Sequence, residues 1–131
     1  MKRELTALLI LHDPMLARIL ASELARMEFQ FSLFRNSDTA LLLSGTWQFD
    51  LVIMEACASR TRDRDLVRGV RARQDGARII AITGPQGNGD NRPLLDAGVD
   101  ALVGRHEPVA DLVSAVALPA SANRGDHGDH A

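Results

Sequence analysis

The sequence has a single cysteine, Cys57, and no hydrophobic run long enough to cross a membrane. One cysteine excludes an intrachain disulfide, which agrees with a reducing cytosol, so we expect a cytoplasmic protein. The apolar run that follows residues 1–4 is too short for a membrane span, and no small-residue cleavage site follows it. We therefore expect no membrane partner.

The sequence also lacks a large net charge and the motifs of nucleotide or flavin binding. The net charge at pH 7 is only −2, so bulk electrostatics make nucleic acid an unfavoured partner. No Gly-Lys-Ser/Thr sequence ends the glycine-containing segment 84–93, which excludes a Walker phosphate loop. The chain has no aromatic-rich loop that would hold a flavin, and this argues against a small flavin-binding protein.

What the sequence does contain suits one folded domain. Its 131 residues, 46% of them hydrophobic, are enough for a substantial core. We expect this domain to span residues 1–118. The small and polar residues 119–131 are expected to be a disordered tail or a linker, and whether an output domain follows stays open.

Strand and helix patterns alternate along the chain. Five apolar runs predict strands at residues 5–11, 29–34, 49–55, 77–82 and 100–104. Helices are predicted after Pro14, at 38–45, at 63–74, near 93–97 and after Pro108. This alternation predicts an α/β fold: a doubly wound five-stranded parallel sheet in the order 2-1-3-4-5, arranged as a flavodoxin-like three-layer sandwich.

The fourth helix is predicted to be shortened. Residues 84–93 include two prolines and three glycines, which both disfavour a helix. No apolar residue lies between Gly84 and Leu94 to pack such a helix. We therefore predict a mobile loop over 85–92, with helix only after it.

Polar side chains follow the strands at the sheet edge where the carboxyl ends of parallel strands meet. In chain order these residues are His12, Asp13, Glu55, Thr83 and Arg105. Ligands of doubly wound sheets bind at this edge, so these side chains are the candidate site. We expect a salt bridge between Glu55 and Arg105, because both follow strands that end there.

Two segments resemble the receiver domains of bacterial two-component response regulators, of the chemotaxis-receiver type. They are Asp-Leu-Val-Ile-Met at 50–54 and Ala-Gly-Val-Asp at 97–100. The resemblance covers residues 5–118. In that family, an acidic pair after the first strand and an Asp after the third hold Mg²⁺, and this Asp accepts a phosphoryl group from a histidine kinase.

Several functional positions of that family carry other residues here, so the chain resembles an atypical, degenerate receiver. Only Asp13 and Thr83 keep the family's residue types, and the phosphate-accepting Asp is replaced by Glu55. The first acid of the pair, the aromatic switch residue and the Lys are replaced by His12, Leu102 and Arg105. Leu102 has no ring or hydroxyl to change position, so it is expected to stay packed.

The resemblance and these substitutions imply a non-enzymatic signalling module of a two-component or phosphorelay pathway. It would contact a histidine kinase or an output protein independently of phosphorylation, with Glu55 imitating the phosphorylated acceptor. A homodimer is an open alternative, although the family's dimer surface would be incomplete without a full fourth helix.

No cofactor is expected beyond weak Mg²⁺ binding. Mg²⁺ prefers oxygen ligands, and His12 puts an imidazole where the family has a carboxylate. The oxygen donors that remain are Asp13, Glu55 and the Cys57 carbonyl.

Two further functions stay open. The chain could still accept phosphate through altered chemistry at Glu55, or it could be the N-terminal receiver of a longer transcriptional regulator. The predicted third helix adds another alternative, because its arginines form either a solvated face or a docking surface for an acidic partner. These arginines are residues 60, 62, 64, 68, 71 and 73.

Overall fold

The computed structural model describes residues 4–84 and 90–104. Three expectations therefore concern residues outside the described ones. They are the helix after Pro108, the tail 119–131 and the partner of Arg105.

The architecture is a five-stranded parallel sheet in the order β2-β1-β3-β4-β5, as predicted. The strands are β1 (Leu5–Ile10), β2 (Phe29–Phe34), β3 (Leu51–Glu55), β4 (Arg78–Thr83) and β5 (Ala101–Gly104). The described helices are α1 (Pro14–Arg26), α2 (Ser37–Ser44), α3 (Thr61–Arg73) and α4 (Arg92–Ala97). Every crossover between parallel strands carries one of these helices, so the predicted doubly wound fold is confirmed.

Two apolar layers enclose the sheet. On one face, α1 packs its buried leucines against alternate residues of the strands, among them Leu9 and Ile53. On the other face, α2, α3 and α4 pack against the intervening residues, including Leu8 and Val52. Because β3 is covered on both faces, its first four residues are all buried, which explains its continuous apolar sequence.

Side-chain caps fix the starts of α1 and α2. The Asp13 carboxylate accepts from the N–H of Met15 (2.9 Å) and of Leu16 (3.5 Å), and Pro14 occupies the first helical turn. The Asn36 side chain caps α2 in the same way. These caps satisfy N–H groups that have no partner within the helix, so both boundaries follow from the sequence.

The short α4 begins at Arg92, one residue before the predicted position. Asp90 and Asn91 are not helical, and residues 85–89 of the predicted loop lie outside the described ones. Among residues 4–84 and 90–104, no helix is both long and apolar enough to cross a membrane.

Contacts with Arg71 explain the glycine and the aspartate of the Ala-Gly-Val-Asp segment before β5. Gly98 has a φ of 130°, and a Cβ there would lie 2.8 Å from Cγ of Arg71. The Arg71 guanidinium bonds the Gly98 carbonyl (3.0 Å) and the Asp100 carboxylate (2.6 Å), which also accepts from the Ile79 N–H. Glycine is needed for that φ and for the close approach of Arg71. Arg71 therefore ties α3 to the loop that enters β5.

A fully buried amide, Gln74, fixes the connection between α2 and β3. Its Nε2 donates to the carbonyl of Ser44 (2.6 Å) and to the carbonyl of Trp47, and its Oε1 accepts from the N–H of Phe49 (2.8 Å). Gln74 follows the last residue of α3, so one side chain joins that helix to the chain that enters β3.

We predict that Gln74→Leu lowers the free energy of unfolding by about 2 kcal/mol, because three main-chain groups lose this partner, one of them buried and two partly buried. Urea denaturation measures the change. Gln30→Leu, on an exposed position of β2, is the matched control and should change stability by less than about 0.5 kcal/mol. Equal effects of the two substitutions would contradict the role given to Gln74.

Candidate functional site

The carboxyl ends of β1, β3 and β4 bring four of the predicted site residues to one edge of the sheet. Ile10 of β1 is in register with Met54 of β3, so His12 and Asp13 come next to Glu55. Thr83, at the end of β4, is 6% exposed. His12 is exposed at the surface and Glu55 is half-buried. The predicted convergence of His12, Asp13 and Glu55 is thus seen directly.

The Glu55 carboxylate bonds to the main chain of the loop after β1. Its Oε1 accepts from the N–H of His12 at 2.5 Å and from the N–H of Asp13 at 2.8 Å. Hydrogen bonds to an ionised acceptor are stronger than neutral ones. One side chain at the end of β3 therefore holds the loop that leads from β1 into α1.

The other candidate metal donors also have internal roles. Oδ1 of Asp13 caps α1, and the Cys57 carbonyl accepts from the N–H of Arg60 at 3.1 Å. In the part of the chain that the structure describes, no group of three or more His, Cys, Asp or Glu side chains is arranged to hold a metal ion.

The remaining predicted positions lie on the β4 and β5 side of the edge. Thr83 pairs in register with Gly104, and Leu102 is half-buried against the core cluster that includes Val99 and Leu94. Arg105 lies outside the described residues, so its expected salt bridge with Glu55 stays a prediction.

Cys57 lies in the loop after β3, and the pKa of its thiol is lowered. A hydrogen bond with the Ser59 side chain, at 3.0 Å, and a second from the Ser59 main chain lower the pKa of the Cys57 thiol below its usual range. Burial opposes this shift, and the nearby Arg60 charge supports it. The N–H of Cys57 donates to the Asp63 carboxylate at 2.8 Å, which fixes this loop against the start of α3.

A cleft with a cavity volume of about 610 Å³ opens beside His12. Residues at the starts of α2 and α3 supply most of its lining. Its charged groups are Arg35, Asp38, Arg60, Arg62 and Asp63. Arg35 was missed by the sequence analysis, although it follows β2 as His12 follows β1. The signal was present, because the carboxyl end of β2 lies at the same edge of the sheet.

The arginines of the α3 region divide into two groups. Four of them make bonds to the protein: Arg64 to the Ala58 carbonyl, Arg68 to Asp65, Arg71 to Asp100 and Arg73 to the Gly69 carbonyl. The side chains of Arg60 and Arg62 have no such partner among the described residues, and both line the cleft.

We predict that Glu55→Ala lowers the free energy of unfolding by about 1–2 kcal/mol, because two main-chain donors lose a charged acceptor. Glu55→Gln keeps an oxygen acceptor without the charge and should fall between this variant and the wild type. Glu4→Ala, at an exposed position, is the control. Chemical denaturation gives all three values, and equal values for Glu55→Ala and Glu4→Ala would contradict the structural role of Glu55.

We also predict that Cys57 is alkylated by iodoacetamide faster than an unperturbed thiol at neutral pH, since its lowered pKa leaves more thiolate. In Ser59→Ala the largest cause of the shift is removed, so the rate profile should move to higher pH. Intact mass spectrometry over a pH series measures the profile, and an unchanged midpoint in Ser59→Ala would contradict this assignment.

No protein-family model matches the chain. A search of curated proteins also found no match. The fold, in contrast, matches several solved structures.

Three of these solved structures illustrate the likeness. A CheY-like receiver domain protein from Methanospirillum hungatei JF-1 has a TM-score of 0.80 at 14% identity, covering 95% of this chain and 99% of that one. A response regulator from Burkholderia pseudomallei, solved with a phosphorylated aspartic acid, a calcium ion and citrate, has a TM-score of 0.71 at 22% identity (95% and 73% covered). The receiver domain of a sensor histidine kinase from Pseudomonas aeruginosa, solved with magnesium in its active-site cleft, has a TM-score of 0.69 at 22% identity (84% and 92% covered).

All three identities are below 25%, so the likeness concerns the fold. The strand order and the positions of the described helices agree with it. This chain therefore has the fold of response-regulator receiver domains.

Proposed function

We propose that this chain is a signalling module of a two-component or phosphorelay pathway that works by protein–protein contact without phosphorylation. The observation that carries the proposal is the pair of hydrogen bonds from the His12 and Asp13 N–H groups to Glu55. Glu55 stands at the position where the resembling family has its phosphate-accepting Asp. In this proposal the site has a fixed arrangement rather than a switch.

The chemistry of phosphoryl transfer supports this view. An attacking carboxylate oxygen must approach the phosphorus in line, and an error of about 1 Å in its position can cost a hundredfold in rate. Glu55 is one methylene longer than Asp, and its Oε1 is engaged by the loop after β1. An attack by Oε1 would require Glu55 to break these two hydrogen bonds.

We also propose that the site binds Mg²⁺ only weakly, because its candidate metal donors have other roles. Asp13 caps α1, His12 contributes its N–H rather than a carboxylate, and the Cys57 carbonyl accepts from Arg60. A bound Mg²⁺ would supply charge neutralisation for a phosphoryl group, and the described donors are poorly suited to hold it.

We further propose that the module is a cytoplasmic, non-enzymatic receiver domain over residues 1–118, with 119–131 as a tail or linker.

The main competing function is a receiver that still accepts phosphate through Glu55. Thr83 at the end of β4 favours this alternative, because it keeps the residue type that the resembling family has there. The two functions differ in one measurable product, an acyl phosphate on Glu55.

We predict no stable gain of one phosphoryl mass when the full chain is incubated with a small phosphodonor and Mg²⁺, because Glu55 is one methylene longer than Asp and its Oε1 is engaged by the loop after β1. Intact mass spectrometry measures the product. A receiver domain with Asp at the acceptor position, treated in parallel, is the positive control. A mass gain that disappears in Glu55→Gln would establish the phosphate-accepting alternative instead.

A further inference from the structure

The described arginines are distributed unevenly over the surface. Several carry a carboxylate partner, namely Arg26, Arg68, Arg71 and Arg92, at distances from 2.6 to 3.9 Å. Arg18, Arg35, Arg60 and Arg62 have no carboxylate partner among the described residues, and these four lie on one continuous surface. We call this surface the arginine cleft.

The arginine cleft has two connected parts. Its polar part is the cavity of about 610 Å³ between the starts of α2 and α3, which Arg35, Arg60 and Arg62 line. Its apolar part is a groove of about 330 Å³ between α1 and β2, formed by Leu11, Pro14, Ala17, Ala21 and Leu33 with Arg18 and Arg35 beside them. His12 and Arg35 line both parts, so the two parts are adjacent, and the Arg35 guanidinium donates to the His12 carbonyl at 3.4 Å between them.

The presence of arginine at positions 60 and 62 does not stabilise the start of α3. Arg60 is the residue before α3, where it makes no side-chain cap, and Arg62 is in the first helical turn. The start of a helix carries positive partial charge, so cations there are unfavourable and acidic residues are preferred. Both arginines are exposed, and neither gains an ion pair in return among the described residues.

Three carboxylates in the arginine cleft offset part of its positive charge. Asp13 caps α1, and Asp63 accepts from the Cys57 N–H. Asp38, in the first turn of α2, is the third carboxylate of the lining. The four exposed arginines thus exceed the three carboxylates by one positive charge beside an apolar groove, an arrangement that favours a ligand carrying both carboxylates and apolar side chains.

We infer that the arginine cleft binds an acidic segment of a partner protein, with carboxylates on Arg35, Arg60 and Arg62 and an apolar side chain in the groove. This inference rests on the proposed function, since it names the partner chemistry of a module that acts by contact. A nucleic acid fits less well because its backbone offers nothing for the apolar groove and because the overall charge is −2. A second copy of the chain fits less well, because among the described residues the exposed Leu5 and Leu95 each have only a single acidic neighbour, Glu4 and Asp96.

The test uses the full chain and a fluorescent peptide of alternating Glu and Leu, followed by anisotropy. The double variant Arg60→Gln/Arg62→Gln should bind about tenfold more weakly, because two cationic contacts are lost. The matched control Arg26→Gln/Arg68→Gln makes the same change in net charge at exposed positions outside the cleft and should bind like the wild type. Equal weakening in both double variants would overturn the inference, since bulk charge would then explain binding.

Three further probes distinguish the ligand classes. A Gln-Leu peptide should bind weakly if carboxylates are recognised, and a Glu-Ser peptide should bind weakly if the groove is used. Equal binding of either one to that of the Glu-Leu peptide would overturn that part of the inference. A single-stranded oligonucleotide that binds more tightly than the Glu-Leu peptide would overturn the choice of a protein partner.

The peptide experiment contains no phosphodonor, so its failure is separable from failure of the proposed function. If the wild-type chain does not bind the Glu-Leu peptide and also shows no phosphoryl mass gain, only the arginine cleft as a docking site is overturned. A phosphoryl mass gain on Glu55 with intact peptide binding overturns only phosphorylation independence.

Discussion

The arrangement of the site depends on the bonds between one carboxylate and two main-chain N–H groups. Glu55, at the end of the buried central strand, holds the loop that follows β1 through the N–H groups of His12 and Asp13. The central strand is covered on both faces, so its end is a rigid point from which a side chain can position a loop. The start of α1 and one wall of the arginine cleft are built on this loop.

The fold was predictable from sequence because its signals are local and repeated. Strand periodicity, the caps Asp13 and Asn36, and the crossover rule together fix the sheet order and the helix starts. The convergence of His12, Asp13 and Glu55 was also predictable, since parallel strands end at one edge. The hydrogen bonds from the His12 and Asp13 N–H groups to Glu55 were not predicted, because a strand pattern does not tell which main-chain donors the loop geometry brings to a side chain.

The arginines show the same limit of sequence reasoning. A list of arginines near α3 does not say that Arg71 ties the helix to the β5 entry while Arg60 and Arg62 face a cleft. Helical spacing gives the direction of a side chain, but the nearby carbonyls and carboxylates come from distant parts of the sequence. Arg35 follows the edge strand β2, and it lies at the same end of the sheet as the predicted site residues.

Asp13 joins two parts of the molecule through different atoms. Its N–H donates to Glu55, while its carboxylate caps the first turn of α1, which also lines the apolar groove with Pro14. A ligand in that groove and a group that displaces Glu55 would therefore both alter the free energy of the same helix turn. Thermodynamic linkage requires such an effect to be reciprocal: whatever Glu55 displacement does to groove affinity, groove occupancy does equally to the ease of displacing Glu55. If the proposed function holds, this linkage would couple the two sites of a receiver fold that has no phosphorylation step.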